Sequence, residues 1–291
     1  MITMKSRRAI GAAVLFVLSA LAASTVEAQA QPNGDLVARG GYLVNTIMTC
    51  QNCHTPVGPQ GPDFSKAFSG GLAFDEPPFK VTASNITQDK ETGIGSWTDA
   101  QIKHLLRTGE RPNGMHVAAV MPTGFYKIMT ERDMDAVVAF LRTIKPIKNK
   151  VPDPIYKFPA PAQTPPGAEK PFTEAMLKDK VKNGFYLATI GHCFECHTPM
   201  GPKGHDWATY GMGGMEFPGP WGKSVSRNIT SSKTKGLGDW TDAQIKTAIT
   251  KGVSKDGTKL KPPMGYPYYD HMKGEDLDAV IAYLRTVPAK E

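Results

Sequence analysis

Residues 50–54 have the sequence Cys-Gln-Asn-Cys-His and residues 193–197 the sequence Cys-Phe-Glu-Cys-His, so the pattern C-x-x-C-H occurs twice. The two copies contain all four cysteines of the 291-residue chain. Four cysteines in a chain of this length are too few for the disulfide framework of a small secreted domain. The pattern therefore points to a chemistry that needs two thiols and one imidazole at each site.

C-x-x-C-H is the attachment sequence of c-type haem. Two thiols three positions apart can add to the two vinyl groups of one porphyrin, and His54 or His197 then reaches the iron. A zinc site would need further ligands at ordinary spacing, and a thioredoxin-like motif would need a βαβ context. The sequence shows neither of these, so it predicts two haem c groups, bound covalently through Cys50, Cys53, Cys193 and Cys196.

Each motif is part of a longer internal repeat. Adding 143 to a residue number maps the first half of the chain onto the second without a gap. Asn85-Ile86-Thr87 becomes Asn228-Ile229-Thr230, and the segment 97–103 recurs as 240–246. The period is far longer than the units of a solenoid, so the sequence predicts two copies of one domain.

Each copy is predicted to be helical. Residues 98–101 form a capping box with Thr at N-cap and Gln at N3, and Gly109 ends that helix. Helical patterns over 34–47 and 174–190 lead into the cysteines, and apolar residues at helical spacing predict a last helix over 131–144 in the first copy. Because alternating strand patterns are nearly absent, the predicted fold class is all-α.

The remaining segments complete the domain organisation. Basic residues up to Arg8, an uncharged run over 9–26 and small residues after it predict a secretory signal peptide, and hence a location in the bacterial periplasm. The same run could instead be a retained membrane anchor. A stretch with eight prolines in 27 residues predicts a semi-rigid linker. The predicted boundaries are 1–30 for the signal peptide, 31–144 for the first domain, 145–171 for the linker and 172–291 for the second domain.

Two pairs of methionines repeat at the same offset and are candidates for the sixth iron ligand. Met121 and Met264 lie in Gly/Pro-rich loops without apolar periodicity, where a thioether is free to serve as a ligand. Met129 and Met272 precede the last helices, where packing onto the helix explains them. His116 and Met115 compete in the first copy alone, since Lys259 and Thr258 occupy the matching positions of the second. We therefore predict Met121 and Met264 as ligands.

Four further residues are candidate contacts of the haem propionates. Trp97 and Trp240 each carry an indole N–H, and Asn85 and Asn228 each carry an amide N–H. The alternative for the tryptophans is a hydrophobic staple at the start of the following helix, and both roles are compatible.

Charge is distributed unevenly along the chain. The formal net charge is +7, and the part that follows the predicted signal peptide carries +5. The first domain is close to neutral, whereas lysines cluster around the loop of Met264. Such asymmetry bears on docking rates rather than on the fold, and it predicts an acidic partner at the second haem; an ordinary solvated surface is the alternative.

Each half resembles a class I cytochrome c domain. The resemblance rests on C-x-x-C-H, then N-I-T, G-x-G-x-W-T-D-A-Q-I, a loop methionine and D-A-V-x-A-[FY]-L-R-T. The whole pattern is similar to the multi-haem cytochrome c subunits of periplasmic alcohol, aldehyde and related dehydrogenases. Many of those subunits carry three haems and a membrane-associating segment, so membrane association stays open here. The family fold also implies that Gly41-Tyr42 crosses Phe140-Leu141 and that Gly184-Phe185 crosses Tyr283-Leu284.

The resemblance implies an electron carrier rather than an enzyme. A periplasmic dehydrogenase would be the electron donor and a downstream cytochrome or terminal oxidase the acceptor, with no role for nucleic acid. The alternative is a di-haem enzyme, either a peroxidase or a thiosulfate dehydrogenase. A peroxidase needs an open iron site, which two His/Met haems lack, and a thiosulfate dehydrogenase of the known kind needs a cysteine ligand, whereas all four cysteines are committed to attachment.

Overall fold

Ten α-helices are found among the residues that the computed structural model describes, which are 1, 34–58, 61–160, 162–201, 204–219 and 221–291. Apart from Met1, the predicted signal peptide lies outside this part of the chain. The first repeat contains α1 (Gly34–Tyr42), α2 (Cys50–His54), α3 (Asp99–Thr108), α4 (Thr123–Tyr126) and α5 (Glu131–Leu141). The second repeat contains α6 (Lys180–Ile190), α7 (Cys193–Cys196), α8 (Asp242–Lys251), α9 (Tyr266–Tyr269) and α10 (Gly274–Leu284).

Short antiparallel strands accompany the helices, so the expectation of an all-α fold was too narrow. In the first repeat β1 (Val57–Gly58) pairs with β2 (Gly61–Pro62), and β3 (Ala73–Glu76) pairs with β4 (Phe79–Thr82). The linker supplies β5 (Ile155–Tyr156), and the second repeat has β6 (Met200–Gly201) with β7 (Gly204–His205) and β8 (Glu216–Gly219) with β9 (Gly222–Val225). Strands of two to four residues are too short to show the period-two pattern by which strands are recognised in sequence.

Glycine allows the first and last helices of each repeat to cross in close contact. A Cβ atom on Gly40 of α1 would lie 1.8 Å from the carbonyl oxygen of Ala136 in α5. A Cβ atom on Gly184 of α6 would lie 1.9 Å from the carbonyl oxygen of Ala279 in α10. Both distances are far below van der Waals contact, so no other residue fits at these crossings.

The two repeats are out of register by one residue at this crossing. An offset of 143 pairs Gly184 with Gly41, but the glycine in the equivalent contact is Gly40. The π-helix Leu43–Ile47 follows α1, and a π-helical turn accommodates one extra residue within a helix. The predicted crossing of Gly41-Tyr42 over Phe140 is thus shifted, although a Cβ on Gly41 would also meet the Phe140 ring, at 3.1 Å.

The corrected register reveals a reciprocal contact between the repeats. Tyr42 and Tyr186 become equivalent, and each donates its hydroxyl hydrogen to an aspartate in the last helix of the other repeat. The Tyr42 hydroxyl lies 2.7 Å from Asp276 Oδ2, and the Tyr186 hydroxyl lies 2.7 Å from Asp133 Oδ2. Arg39 also binds both oxygens of Asp133, at 2.8 and 2.7 Å. The described residues of the two repeats and the linker accordingly form one compact unit with a continuous apolar core.

The proline-rich segment lies along the first repeat and reaches the second. Strand β5 pairs with β4 as the third strand of that sheet, and Asn149 Nδ2 donates to the Ser69 carbonyl at 2.9 Å. Gln163 accepts a hydrogen bond from the backbone N–H of His205 in the second repeat. Within the described residues, no helix is long and apolar enough to span a membrane.

Candidate haem sites

Both C-x-x-C-H motifs begin at a left-handed residue. Thr49 (φ 48°) precedes α2 and His192 (φ 43°) precedes α7, and they occupy equivalent positions. A non-glycine residue with positive φ is uncommon and is found preferentially at functional sites. The turn starts a short helix that presents both cysteines and the histidine of each motif on one segment.

The histidine of each motif is oriented by a backbone carbonyl. His54 Nδ1 lies 2.7 Å from the Ser84 oxygen, and His197 Nδ1 lies 2.6 Å from the Arg227 oxygen. A carbonyl oxygen only accepts, so Nδ1 carries the hydrogen and Nε2 keeps its lone pair for a metal. Burial lowers the pKa of both imidazoles, which favours this neutral form. Ser84 and Arg227 act through the main chain, so their residue types gave no signal in the sequence.

A cavity of about 690 Å³ lies beside the second motif. Cys193, Cys196 and His197 line it together with Met264 and Trp240. Apolar side chains cover much of its wall, among them Ile47, Leu187, Ile245, Leu260, Val280 and Leu284. Cofactor sites typically occupy ~300–1,000 Å³ and are mostly apolar with a few placed polar groups. The residues present therefore fit a haem, with two thiols, one imidazole and one thioether on the wall.

Burial raises the pKa of all four cysteine thiols. It raises the pKa of Cys50, Cys53 and Cys193 to about 12 in each case, and it raises that of Cys196 as well. None of the four cysteines forms a disulfide, so all four sulfur atoms can serve as attachment points.

The methionines differ between the repeats. Met264 lines the cavity of the second repeat, and so does Met272. Met121 is partly buried against the core, whereas Met129 is fully buried in it. Met121 and Met264 as sixth ligands stay a prediction, and the structure adds Met272 as a second thioether near His197.

The two asparagines hold loops together. Asn85 Nδ2 donates to the Ile147 carbonyl at 2.7 Å, and its Oδ1 accepts from the Thr87 backbone N–H at 2.9 Å. Asn228 Nδ2 donates to the Lys290 carbonyl at 2.8 Å. These bonds tie the segment after each last helix to the loop that follows the motif. Asn228 also lines the cavity; the propionate contact of both residues stays a prediction.

The tryptophans stand where the sequence predicted a staple. Capping boxes precede α3 and α8 as predicted, and Trp97 and Trp240 pack against the core beside them. Their carbonyl oxygens accept hydrogen bonds from Arg142 and Arg285 of the last helices. Trp240 also lines the cavity. The propionate contact of both tryptophans stays a prediction.

The first repeat contributes to the wall of the second site. Thr49 and Asn52 of the first repeat line the cavity of the second. The His192 ring lies 3.1 Å from a Glu195 carboxylate oxygen and 3.3 Å from the Met48 carbonyl oxygen of the first repeat. Burial is the main cause of the raised pKa of the Cys53 thiol, and the Glu195 carboxylate contributes to it from the other motif. The attachment motifs are therefore neighbours in space.

A known protein family matches both repeats. The sequence model of the cytochrome c family matches residues 37–145 and again residues 181–288. The chain belongs to the cytochrome c family. Each match contains one C-x-x-C-H motif with its oriented histidine, and haem c is the cofactor that this motif attaches.

Several relatives of the chain are cytochromes or cytochrome subunits of dehydrogenases. The cytochrome c subunit of a quinone alcohol dehydrogenase from Gluconacetobacter polyoxogenes is 30% identical, over 92% of this chain and 59% of that subunit. The fructose dehydrogenase cytochrome subunit of Gluconobacter japonicus is 28% identical, over 99% and 61%. A diheme cytochrome c-type protein of Cereibacter sphaeroides is 30% identical over 83% of each chain. The chain thus spans less than two thirds of the dehydrogenase subunits that it matches.

Proposed function

We propose that this protein is a periplasmic di-haem electron carrier. Electrons would enter from a dehydrogenase and leave toward a downstream cytochrome or terminal oxidase through two covalent His/Met haems. The observation that carries the proposal is the pair of C-x-x-C-H motifs, each with its histidine held by a carbonyl at equivalent positions. The relatives that are subunits of alcohol and fructose dehydrogenases support the choice of donor.

The chain's residues prepare each site for a one-electron step. When bound, haem supplies the change of iron valence. The two thiols of each motif would hold the macrocycle, and the Nδ1 hydrogen bond keeps the imidazole in the tautomer and orientation that a metal ligand needs. Met121 and Met264, as the predicted further ligands, would raise the reduction potential. The apolar wall limits water, which also affects the potential.

Residues of both repeats line the cavity of the second repeat, which supports electron transfer between the two sites. Asn52 of the first motif lines the cavity of the second, and the two motifs are in electrostatic contact through Glu195. The two reciprocal tyrosine–aspartate bonds hold the repeats against each other. Because the two motifs are neighbours within one compact unit, haems bound there would exchange an electron without movement of the repeats.

A group of lysines supports an acidic partner at the second site. We call Lys235, Lys255, Lys259 and Lys261 the lysine rim; all four are exposed and line the cavity of the second repeat. Lys246 and Lys251 are also close in sequence, but they form ion pairs with Asp278 and Asp270. The positions that match the lysine rim in the first repeat carry Thr92, Pro112, His116 and Ala118. The positive edge is specific to the second site.

Purified holoprotein tests the proposal. We expect two haems per chain by the pyridine haemochrome assay, and reduction of both haems when substrate is added to a dehydrogenase that co-purifies with the tagged protein. Alcohols, fructose and gluconate form the first substrate panel, because relatives serve dehydrogenases of these substrates. Turnover of peroxide or thiosulfate at catalytic rates by the protein alone would refute the carrier role in favour of a di-haem enzyme.

A further inference from the structure

An arginine and a serine exchange places between the two repeats. The first repeat has Ser84 and Arg111, and the matching positions of the second have Arg227 and Ser254. In both repeats the two residues are in contact. Arg111 donates to Ser84 Oγ at 3.0 Å, and Arg227 donates to Ser254 Oγ at 3.4 Å. A guanidinium group therefore reaches the same place in each repeat from opposite segments of the chain.

That place adjoins the histidine of each motif. The carbonyl group of Ser84 holds His54, and the carbonyl group of Arg227 holds His197. Arg111 is close enough to His54 to act on it electrostatically. In the second repeat both Arg227 and Ser254 line the cavity.

These two arginines lack the carboxylate partners that others in the chain have. Arg39, Arg107, Arg142 and Arg285 each form an ion pair with an aspartate or glutamate. Within the described residues, no carboxylate lies within ion-pair distance of Arg111 or Arg227, although Asp256 is in the neighbourhood of Arg227. The Nε atom of Arg111 is buried and has no hydrogen-bond partner in this part of the chain.

A buried donor without an acceptor costs roughly 1–3 kcal/mol, more when the group is charged. Guanidinium groups bind carboxylates in a planar, two-pronged geometry. A haem brings two propionate carboxylates, and in the first repeat one of them would supply the acceptor that Arg111 Nε lacks. Arg227 is exposed and would offer its guanidinium group at the matching place of the second repeat.

We infer that Arg111 binds a propionate of the first haem and that Arg227 binds a propionate of the second haem. Ser84 and Ser254 position the two guanidinium groups by accepting hydrogen bonds from them. The inference rests on the proposed two haems. One positive charge is thereby provided at each site, and it favours the reduced, less positive iron. Each repeat therefore has one arginine at this place, although the arginine comes from a different position of the repeat in each case.

Single substitutions test the role of each arginine. In Arg111→Ser we expect the reduction equilibrium of one haem to shift toward the oxidised form by roughly tenfold, about 59 mV for a one-electron couple. Arg227→Ser should shift the other haem. The measurement is a potentiometric titration followed by absorbance, after the pyridine haemochrome assay has established two haems per chain. Arg132→Ser, at an exposed arginine of α5, is the matched control and should leave both potentials unchanged.

The exchanged pair gives an independent answer. Ser84→Arg combined with Arg111→Ser places the arrangement of the second repeat into the first, so it should return the first haem to its original potential. If the Arg111→Ser protein cannot be obtained, the double variant tests the inference by itself. A double variant that carries two haems but has a lowered potential at the first haem would overturn the inference. Unchanged potentials in both single variants, with two haems present, would also overturn it. A wild-type protein that binds no haem would instead refute the proposed function.

Discussion

At the scale of single residues, the histidines are the best determined part of each site. One hydrogen bond fixes the tautomer of His54 and of His197, and both bonds go to backbone oxygens. The sixth ligand is less constrained, because Met264 and Met272 line the same cavity. Mutation of each methionine shows which of the two is the iron ligand.

Met264→Ala should abolish, for one haem, the weak long-wavelength absorption band that Met–Fe(III) ligation gives. The potential of that haem should fall, since loss of the methionine removes the ligand that raises it. Met121→Ala should do the same for the other haem. Met200→Ala, at an exposed methionine, is the control. If Met272→Ala removes the band and Met264→Ala does not, the ligand assignment in the second repeat is wrong.

Tyr186→Phe tests the contact between the repeats. Burial raises the pKa of Tyr186 well above its usual range, so the phenol stays protonated and donates to buried Asp133. Loss of this bond should lower the free energy of unfolding by about 1–3 kcal/mol, measured by denaturant titration of the holoprotein. Tyr156→Phe removes a hydrogen bond in an exposed setting, from the Tyr156 hydroxyl to the His116 carbonyl oxygen. Water can replace that bond, so the free energy of unfolding should change by no more than about 0.5 kcal/mol. Equal effects of the two variants would mean that the contact does not stabilise the interface.

At the scale of elements, the crossing of the first and last helices organises each repeat. The crossing is close enough to exclude any Cβ atom at Gly40 and Gly184. The π-helix after α1 restores the register between this crossing and the cysteines, because the first repeat has one residue more in that interval.

Gly184→Ala should destabilise the second repeat although alanine favours helices. The helix propensity gains roughly 1 kcal/mol, but the new Cβ would lie 1.9 Å from a backbone oxygen that cannot move aside locally. We expect a net loss of about 1–3 kcal/mol in the free energy of unfolding. Gly274→Ala is the matched control in α10, since a Cβ there meets nothing within 4 Å. A Gly184→Ala protein as stable as the control would contradict the close crossing.

At the scale of the whole molecule, charge distinguishes the two ends of the proposed electron path. The lysine rim surrounds the second site, and the matching residues of the first site carry no lysine. An electrostatic surface of this kind acts mainly on association rates and is screened by salt.

Replacing Lys255, Lys259 and Lys261 by Gln should slow electron exchange with an acidic redox partner by about tenfold or more at low ionic strength. The difference from the wild type should shrink as salt increases. Stopped-flow absorbance of the haems measures both rates. Substitution of Lys145, Lys148 and Lys150 by Gln removes equal charge from the linker and serves as control. An equal loss of rate in the control would show that net charge, rather than the lysine rim, controls the encounter.

The sequence by itself determined the two attachment motifs, the tandem repeat, the capping boxes and the family. These features depend on spacing over a few residues or on an exact recurrence, and both can be read along the chain. Only the tertiary structure decided which carbonyl groups orient the histidines, which tyrosine of one repeat meets which aspartate of the other, and where the register shifts. Tyr42 and Asp276 are 234 positions apart, and a backbone oxygen leaves no trace in residue type, so no local pattern could identify these partners.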